Sequence, residues 1–252
     1  MKIILLVPVF LICALLMPLS ARSQTAAEVL ESMENVMRGE SNYSEMTMTI
    51  VRPRFEREVS VRSWMMGRDH SLIIITAPAR DRGTAFLMRQ NNIWSYDPRI
   101  DRTTRMPSSM MSQSWMGSDF TNDDLVRDSD ILDDYEHQIL RTETYEGHLC
   151  YVIELIPKPE SPIVWGKVLM WVTKDSYLQL RMEQYDQRGD MINEIKLDQI
   201  KNLDGREIPS RITVRPVDKS GHSTILEYKR MEFDIDISES FFTQDNMQRA
   251  GR

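Results

Sequence analysis

Polar and apolar residues alternate along most of the chain, beginning at residues 43–51. Alternation with a period of two predicts β-strands that bury one face. The alternating segments are short and are separated by tight polar turns such as Gly67-Arg68-Asp69, an order typical of antiparallel hairpins. The predicted strands span residues 43–51, 58–66, 70–76, 85–90, 93–97, 135–142, 149–157, 167–173, 178–186, 191–200, 208–216 and 223–233.

The clearest helical pattern covers residues 25–38 and precedes the first strand. Thr25 and Glu28 form a capping box, in which each side chain satisfies a free backbone N–H of the first turn. Gly39 can adopt the left-handed conformation that ends a helix. One apolar stripe runs along the predicted helix and consists of Ala26, Val29, Leu30, Met33 and Met37.

A second helix is predicted over residues 107–116, followed by a short turn after Thr121. Pro107 suits the first helical position, and Gly117 suits the end. Methionine is abundant here, and its flexible side chain fills irregular apolar gaps. The large apolar residues of the region are Met106, Met110, Met111, Trp115, Met116 and Phe120. Two interpretations remain open: a core-packing helix, or a movable lid over an apolar ligand.

The predicted elements indicate a mainly β (α+β) fold. A sheet of roughly ten strands must curl, because large twisted sheets seldom stay flat. We therefore expect a large curled antiparallel sheet that forms a half-barrel, with a few helices plugging its concave face. Since neighbouring residues on a strand point to opposite faces, Phe86 shares a face with Met88, and Trp94 shares a face with Tyr96. We expect both pairs to line the concave interior.

The first 23 residues have the pattern of a cleaved secretory signal peptide. A basic start, an uncharged apolar run over residues 3–17, and the small residues Ala21 and Ser23 predict cleavage before Gln24. The apolar run is shorter than the roughly 20 residues that a membrane-spanning helix needs. We expect residues 24–252 to form one domain in the periplasm.

Charge and cysteine content narrow the classes of function. The formal net charge is -7, and cleavage of the signal peptide would remove two basic residues and give -9. This acidic balance argues against binding to nucleic acid, whose phosphates require a basic face. Only Cys150 would remain after cleavage, so an internal disulfide is excluded. Cys150 lies in an apolar strand, where we expect a buried side chain rather than a nucleophile.

The sequence contains no motif typical of catalysis or of metal binding. The acidic run over residues 119–134 lacks the pattern of a calcium loop. The four histidines are scattered, without a second ligand at the spacing of a metal site. A nucleophile elbow, a glycine-rich phosphate loop and a C-x-x-C pair are also missing. We therefore expect no catalytic residue, no cofactor and no metal, and a hydrolase is the least favoured class.

The segment between Gly83 and Leu125 resembles a known family. It combines W-x-Y-x-P at residues 94–98 with G-S-D-F at residues 117–120, and the chain closes with Phe241-Phe242-Thr243. These residues resemble the bacterial outer-membrane lipoprotein-sorting-like proteins, which are similar to the superfamily of the periplasmic lipoprotein carrier LolA, its receptor LolB and the envelope-stress sensor RseB. The resemblance extends to the end of the chain, where the closing residues would enter a terminal strand.

The resemblance implies a half-barrel whose mouth is closed by helices, and it favours the lid interpretation. It implies a periplasmic carrier that shields the acyl chains of a lipid or lipoprotein during transfer toward the outer membrane. The expected partners are an inner-membrane RND-type exporter and, transiently, the membrane, with the protein as a monomer. The alternative is an RseB-like sensor, a binding module that reports to a membrane partner. The residues expected to form the cavity and lid are Phe86, Met88, Trp94, Tyr96, Met106, Met110, Met111, Trp115, Met116 and Phe120.

Overall fold

The fold is described from a computed structural model. The structure describes residues 24–90, 92–122, 124–125, 131–161 and 163–251. The predicted signal peptide, residues 1–23, lies outside the described residues. In the part of the chain that is described, no helix is both long enough and apolar enough to cross a membrane.

Thirteen strands form one antiparallel sheet, as the alternation predicts. The strands are β1 (Ser41–Arg52), β2 (Phe55–Met66), β3 (His70–Ala77), β4 (Ala85–Arg89), β5 (Asn92–Asp97), β6 (Arg102–Arg105), β7 (Tyr135–Tyr145), β8 (His148–Pro157), β9 (Lys167–Thr173), β10 (Gln179–Tyr185), β11 (Met191–Leu203), β12 (Arg206–Pro216) and β13 (Ser223–Phe233). The short strand β6 is the one that the sequence pattern missed, because its residues Arg102–Arg105 contain no large apolar side chain.

The spatial order of the strands is β6-β5-β4-β3-β2-β1-β13-β12-β11-β10-β9-β8-β7. The chain therefore builds one half of the sheet outward from β1 to β6, restarts at the opposite edge with β7, and returns until β13 pairs with β1. The outer edges β6 and β7 are not neighbours in this order, so the sheet stays open. This confirms the predicted half-barrel of curled antiparallel strands.

In the described part of the chain, the sheet is accompanied by the α-helices α1 (Ala26–Arg38), α2 (Ile131–Asp134) and α3 (Gln244–Gly251). The predicted capping box of α1 is confirmed, since Glu28 N donates to Thr25 Oγ1 at 3.2 Å and Thr25 N donates to Glu28 Oε2 at 2.8 Å. Gly39 follows the helix with a φ of 66°, in the left-handed region, as expected. Short 3₁₀ turns occur at Ser108–Met110, Trp115–Gly117 and Glu239–Phe241.

One face of the sheet, which we call the inner face, is covered by two separate pieces of chain. The apolar stripe of α1 packs over β7, β8 and β9. Residues 106–125 pack over the inner face of β1 to β4 and of β11 to β13. Met37 of α1 and Met182 of β10 contact both groups of buried side chains. The two coverings thus meet over the middle of the sheet.

The opposite, outer face of β3 to β5 is covered by the C-terminal segment. Phe242 and Met247 are fully buried there. The sequence resemblance predicted a strand at Phe241-Phe242-Thr243, and this was wrong. Thr243 Oγ1 instead accepts a hydrogen bond from Asn246 N at 3.2 Å. A threonine in this capping position starts α3, so the segment packs on the sheet instead of joining it.

The docking of α3 depends on Gly83, which has a φ of 84° and lies against the end of the helix. A Cβ at this position would lie 1.9 Å from the backbone oxygen of Gly251. We expect Gly83→Ala to lower the free energy of unfolding by about 2–5 kcal/mol, from left-handed strain and overpacking together. Urea unfolding measures this loss.

Gly67→Ala is the matched control, because Gly67 also has a positive φ of 55° but a Cβ added there would have no neighbouring atom within 4 Å. Its free energy of unfolding should fall only by the cost of a left-handed backbone conformation in alanine, about 1–2 kcal/mol. Equal losses in the two variants would mean that the close approach of Gly83 to α3 does not affect stability.

Candidate functional site

The lid segment, defined as residues 106–125, does not form the predicted helix over residues 107–116. Residues 106–121 contain only the two 3₁₀ turns Ser108–Met110 and Trp115–Gly117 as helical structure. Met116 has a φ of 52°, a left-handed value that a continuous α-helix cannot contain. The helix prediction was wrong, because a serine-rich stretch has only middling helix propensity and tertiary contacts decide its shape.

The second half of the lid segment folds back on itself. Trp115 N donates to Phe120 O at 2.8 Å, and Asn122 N donates to Gln113 O at 2.9 Å. The Asn122 side chain also donates to the carbonyl of Met110 at 2.8 Å. These bonds satisfy the backbone of a segment that has little regular secondary structure, so the loop has a defined conformation.

Asp119 fastens the tip of the lid segment to the sheet. Its carboxylate accepts from Arg52 Nη1 at 2.9 Å and from Thr224 Oγ1 at 2.7 Å, while its backbone N–H donates to the same threonine oxygen at 2.9 Å. Arg52 also donates to Gly117 O at 2.7 Å, and Arg57 donates to the preceding carbonyl. We call Asp119, Arg52 and Thr224 the clasp. It joins the G-S-D-F turn to β1 and β13.

The clasp is largely shielded from water, since only 6% of the Asp119 side chain and 12% of the Arg52 side chain are exposed. The Coulombic attraction of a shielded ion pair is larger than that of a surface pair and is offset by the cost of desolvating both charges, so removal of one partner leaves the other charge desolvated and uncompensated. The lid tip is therefore held by charge-assisted hydrogen bonds, while the methionines nearer its start have no comparable anchor among the described contacts.

A cavity of about 180 Å³ lies on the inner face between the lid segment, α2 and strands β8 to β12. Its wall is mostly apolar, and we call it the main cavity. The apolar lining consists of Phe120, Ile131, Tyr135, Leu155, Ile163, Trp165, Val168, Met170, Met182, Ile195, Leu197, Ile212 and Val214.

Three of the polar residues that line the main cavity already have hydrogen-bond partners. Asp119 belongs to the clasp. Asp124 accepts from Thr121 N at 2.7 Å and from Thr121 Oγ1 at 2.8 Å. Gln184 Oε1 accepts from Asn193 Nδ2 at 2.8 Å. Since these groups stabilise the protein's own structure, the wall suits an apolar guest more than a polar one.

A second cavity of about 100 Å³ lies beneath the lid segment, against β1 to β3 and β13. Asp124 lines both cavities, so they lie on either side of the end of the lid segment. Trp115 also lines the second cavity, and its side chain packs on Phe86 with ring centres 5.7 Å apart. Its indole Nε1 is buried and has no acceptor among the described residues.

Comparison with known proteins identifies the family of this fold. A family model with the description "uncharacterized protein" matches residues 67–249. A LolA superfamily protein from Nitrosomonas europaea has 27% sequence identity and a TM-score of 0.76, with 88% of this chain and 99% of that chain covered. The chain belongs to the family of this model, and it is similar to the LolA superfamily.

Two further solved structures are similar to this LolA-like chain. A DUF1329 family protein from Desulfovibrio piger has 25% identity and a TM-score of 0.79, covering 88% of this chain and 98% of that chain. A putative outer membrane lipoprotein-sorting protein domain from Vibrio parahaemolyticus has 22% identity and the same TM-score of 0.79, covering 89% and 98%. No curated protein matches the chain significantly. The family resemblance carried by the lid segment is confirmed.

The LolA-like fold brings eight of the predicted site residues together on the inner face. Those buried in one cluster are Phe86, Met88, Met106, Trp115 and Phe120. Those half-buried against it are Met110, Met111 and Met116. Among these eight, Phe120 lines the main cavity and Trp115 lines the second cavity. The other six residues line neither cavity and pack within the lid segment or between it and β4.

Trp94 and Tyr96 lie on the outer face, so their predicted place in the concave interior was wrong. Tyr96 is packed under α3, and Trp94 lies at the edge of the same cluster. In the sheet register Trp94 is paired with Leu87, which also points outward. Alternation correctly separates the two faces of a hairpin, but it contains no information on which face is concave.

Most of the main cavity was not identified from the sequence, because its lining comes from β8 to β12 and α2. Alternate residues such as Val168 and Met170, or Ile195 and Leu197, do share a face, and this is the one signal that could have indicated them. Nothing in the pattern distinguishes a strand that packs against a helix from a strand that borders a cavity.

The side chains that could react or bind a metal ion lie away from the two cavities or are not grouped into a site. Burial raises the pKa of the Cys150 thiol, which keeps it protonated, and this residue lines neither cavity. Within the described residues, no three His, Cys, Asp or Glu side chains are grouped closely enough to hold a metal ion. The distinctive feature of the region is therefore its shape and its apolar lining.

Asp119→Asn tests whether the clasp holds the lid segment in place. The variant keeps the size of the side chain but leaves the Arg52 guanidinium without its counter-charge. We expect a loss of about 1–3 kcal/mol in the free energy of unfolding, the usual range for a buried hydrogen-bonded charge. Hydrogen exchange of the Trp115 and Asn122 amides should also become faster, because their acceptors lie within the loop.

Asp97→Asn serves as the control, since it removes an ion pair whose arginine partner, Arg99, is 64% exposed. Exposed pairs contribute little to stability, so this variant should resemble the wild type in both measurements. If Asp119→Asn leaves the exchange of the lid amides unchanged, the clasp does not control the lid segment.

Proposed function

We propose that this LolA-like protein is a periplasmic carrier that holds an acyl chain of a lipid or lipoprotein during its transfer toward the outer membrane. The observation that carries the proposal is the main cavity, an apolar space on the inner face of an open sheet, bordered by a loop segment rather than by a packed helix. The two cavity carboxylates are both used to hold the lid segment in its conformation, Asp119 through β1 and β13 and Asp124 through Thr121, which favours a carrier over a hydrolase.

The energetics of such a cavity suit an acyl chain. Removal of apolar surface from water is worth roughly 25 cal/mol per Å², so a chain extracted from a membrane needs an apolar wall of comparable area. An apolar cavity of about 150 Å³ is large enough to bind benzene. The main cavity, at about 180 Å³, can therefore accept one section of a chain as it stands.

A complete chain needs more room than the main cavity provides, and we infer that the lid segment supplies it by moving. Met110, Met111 and Met116 are half-buried, and methionine can repack around guests of different shape. A movement that also shifts the end of the lid segment, where Asp124 lines both cavities, would connect the main cavity to the second cavity. There, the Trp115 N–H could donate to a polar atom of the guest, since it has no acceptor among the described residues.

The remaining features of the proposal rest on the family resemblance and on the sequence. They are export by a cleaved signal peptide, a single domain over residues 24–252, a monomeric state and an inner-membrane RND-type exporter as the transfer partner. Copurification of the protein with such an exporter from crosslinked cells would test the partner directly.

Ile212→Trp tests the cavity, because Ile212 lines it and the larger side chain would fill part of it. We expect uptake of a fluorescent fatty acid to fall at least about tenfold, since the guest would have to displace a buried ring. Uptake is measured by titration of the probe's emission, and thermal unfolding checks that the variant is folded.

Ile200→Trp makes the same substitution at a position that is 39% exposed and lines neither cavity. It should take up the probe as well as the wild type does. A folded Ile212→Trp variant with unchanged uptake would show that the main cavity is not the binding site.

A further inference from the structure

The antiparallel order of the strands places alternate loops at the same end of the sheet. The loops that follow β1, β5, β8 and β12 are all at one end, which we call the rim. The main cavity extends to this end, since Ile163 and Trp165 of the loop after β8 and Asp119 at the lid tip all line it. The rim therefore borders the main cavity, and a guest that enters from this end of the sheet would pass between the rim loops.

The four most exposed large apolar side chains of the described residues all lie on the rim. They are Ile100 at 65%, Phe55 at 59%, Val217 at 57% and Val164 at 52%. Each belongs to a different loop or to the strand residue next to it. Single exposed apolar residues are ordinary, but four that converge on one end indicate an interaction surface.

The central part of the rim is also basic. Arg52 is already paired with Asp119, and the neighbouring residues 53–57 and 215–222 contain four basic and two acidic side chains, in a chain with a formal net charge of -7. These two segments are adjacent, because Val51 pairs with Ser223 and Pro53 lies against Gly221. Phe55 and Val217 are thus exposed beside Arg54 and Lys219, which are exposed as well.

We propose that the rim binds the surface of an anionic phospholipid bilayer, so that the entrance of the main cavity faces the membrane. Binding at the interface gains strength from buried apolar area and from attraction of basic side chains to anionic headgroups, and the rim offers both. The inference deepens the proposed function and rests on it, because a carrier that binds with its entrance toward the bilayer can receive a chain without exposing it to water.

Sedimentation with lipid vesicles tests the proposal. The wild type should bind vesicles of phosphatidylcholine with phosphatidylglycerol more strongly than vesicles of phosphatidylcholine alone, and added salt should weaken the difference. We expect the double variant Phe55→Ser/Val217→Ser to bind the anionic vesicles about tenfold more weakly. Arg54→Glu/Lys219→Glu should lose the preference for phosphatidylglycerol.

Leu149→Ser is the matched control, because Leu149 is 51% exposed but lies at the opposite end of the sheet. This variant should bind vesicles like the wild type. The proposal is overturned if the wild type does not bind anionic vesicles, if the rim variants bind as well as the wild type, or if Leu149→Ser weakens binding equally. Binding of the rim to an exporter domain without binding to vesicles would also overturn it.

The same variants separate this inference from the carrier proposal. The rim variants should still take up the fluorescent fatty acid from solution, whereas Ile212→Trp should lose uptake and still bind vesicles. A wild type that takes up the probe normally but does not bind vesicles would refute the proposal that the rim binds membranes, and would leave the carrier proposal intact. Binding to vesicles without any uptake of the fluorescent fatty acid would refute only the proposal that the protein is a carrier.

Discussion

The constraint on which the structure depends is the need to cover the inner face of a wide, open sheet. Thirteen curled strands present more apolar surface than one helix of thirteen residues can bury. The chain meets this need with two unrelated pieces, α1 on one half and the lid segment on the other. The two pieces leave part of the inner face uncovered, and a cavity with an apolar wall remains there between the lid segment, α2 and strands β8 to β12.

The chemistry of the lid segment follows from its position over this cavity. A regular helix would satisfy its own backbone, but this loop depends on side-chain partners, which Asn122 supplies from within the loop and Arg52 and Thr224 supply from the sheet. Asp119 and Asp124, the carboxylates that line the cavity, are used for the same purpose. The polar residues of the motif thus hold a cover in place, and the apolar residues form the wall.

Much of the architecture could be predicted from the sequence because it is set by local periodicity. The alternation predicted twelve of the thirteen strands, and the capping box predicted the start of α1. The shape of the lid segment could not be predicted in this way. Its conformation depends on Arg52 and Thr224, which are distant in sequence from the turn that they bind.

The location of the cavity could not be predicted for a related reason. Phe86 and Met88 face inward, while Trp94 and Tyr96, with the same local pattern, face outward under α3. Which face a strand turns to the cavity is a property of the whole sheet.

Native mass spectrometry of the protein purified from the periplasm tests the central claim most directly. We expect a population that carries a noncovalent adduct with the mass of an acyl lipid, released on collisional activation and identified after extraction with organic solvent. Protein that shows only the mass of the bare chain, even after incubation with phospholipid vesicles, would show that the cavity does not hold a lipid.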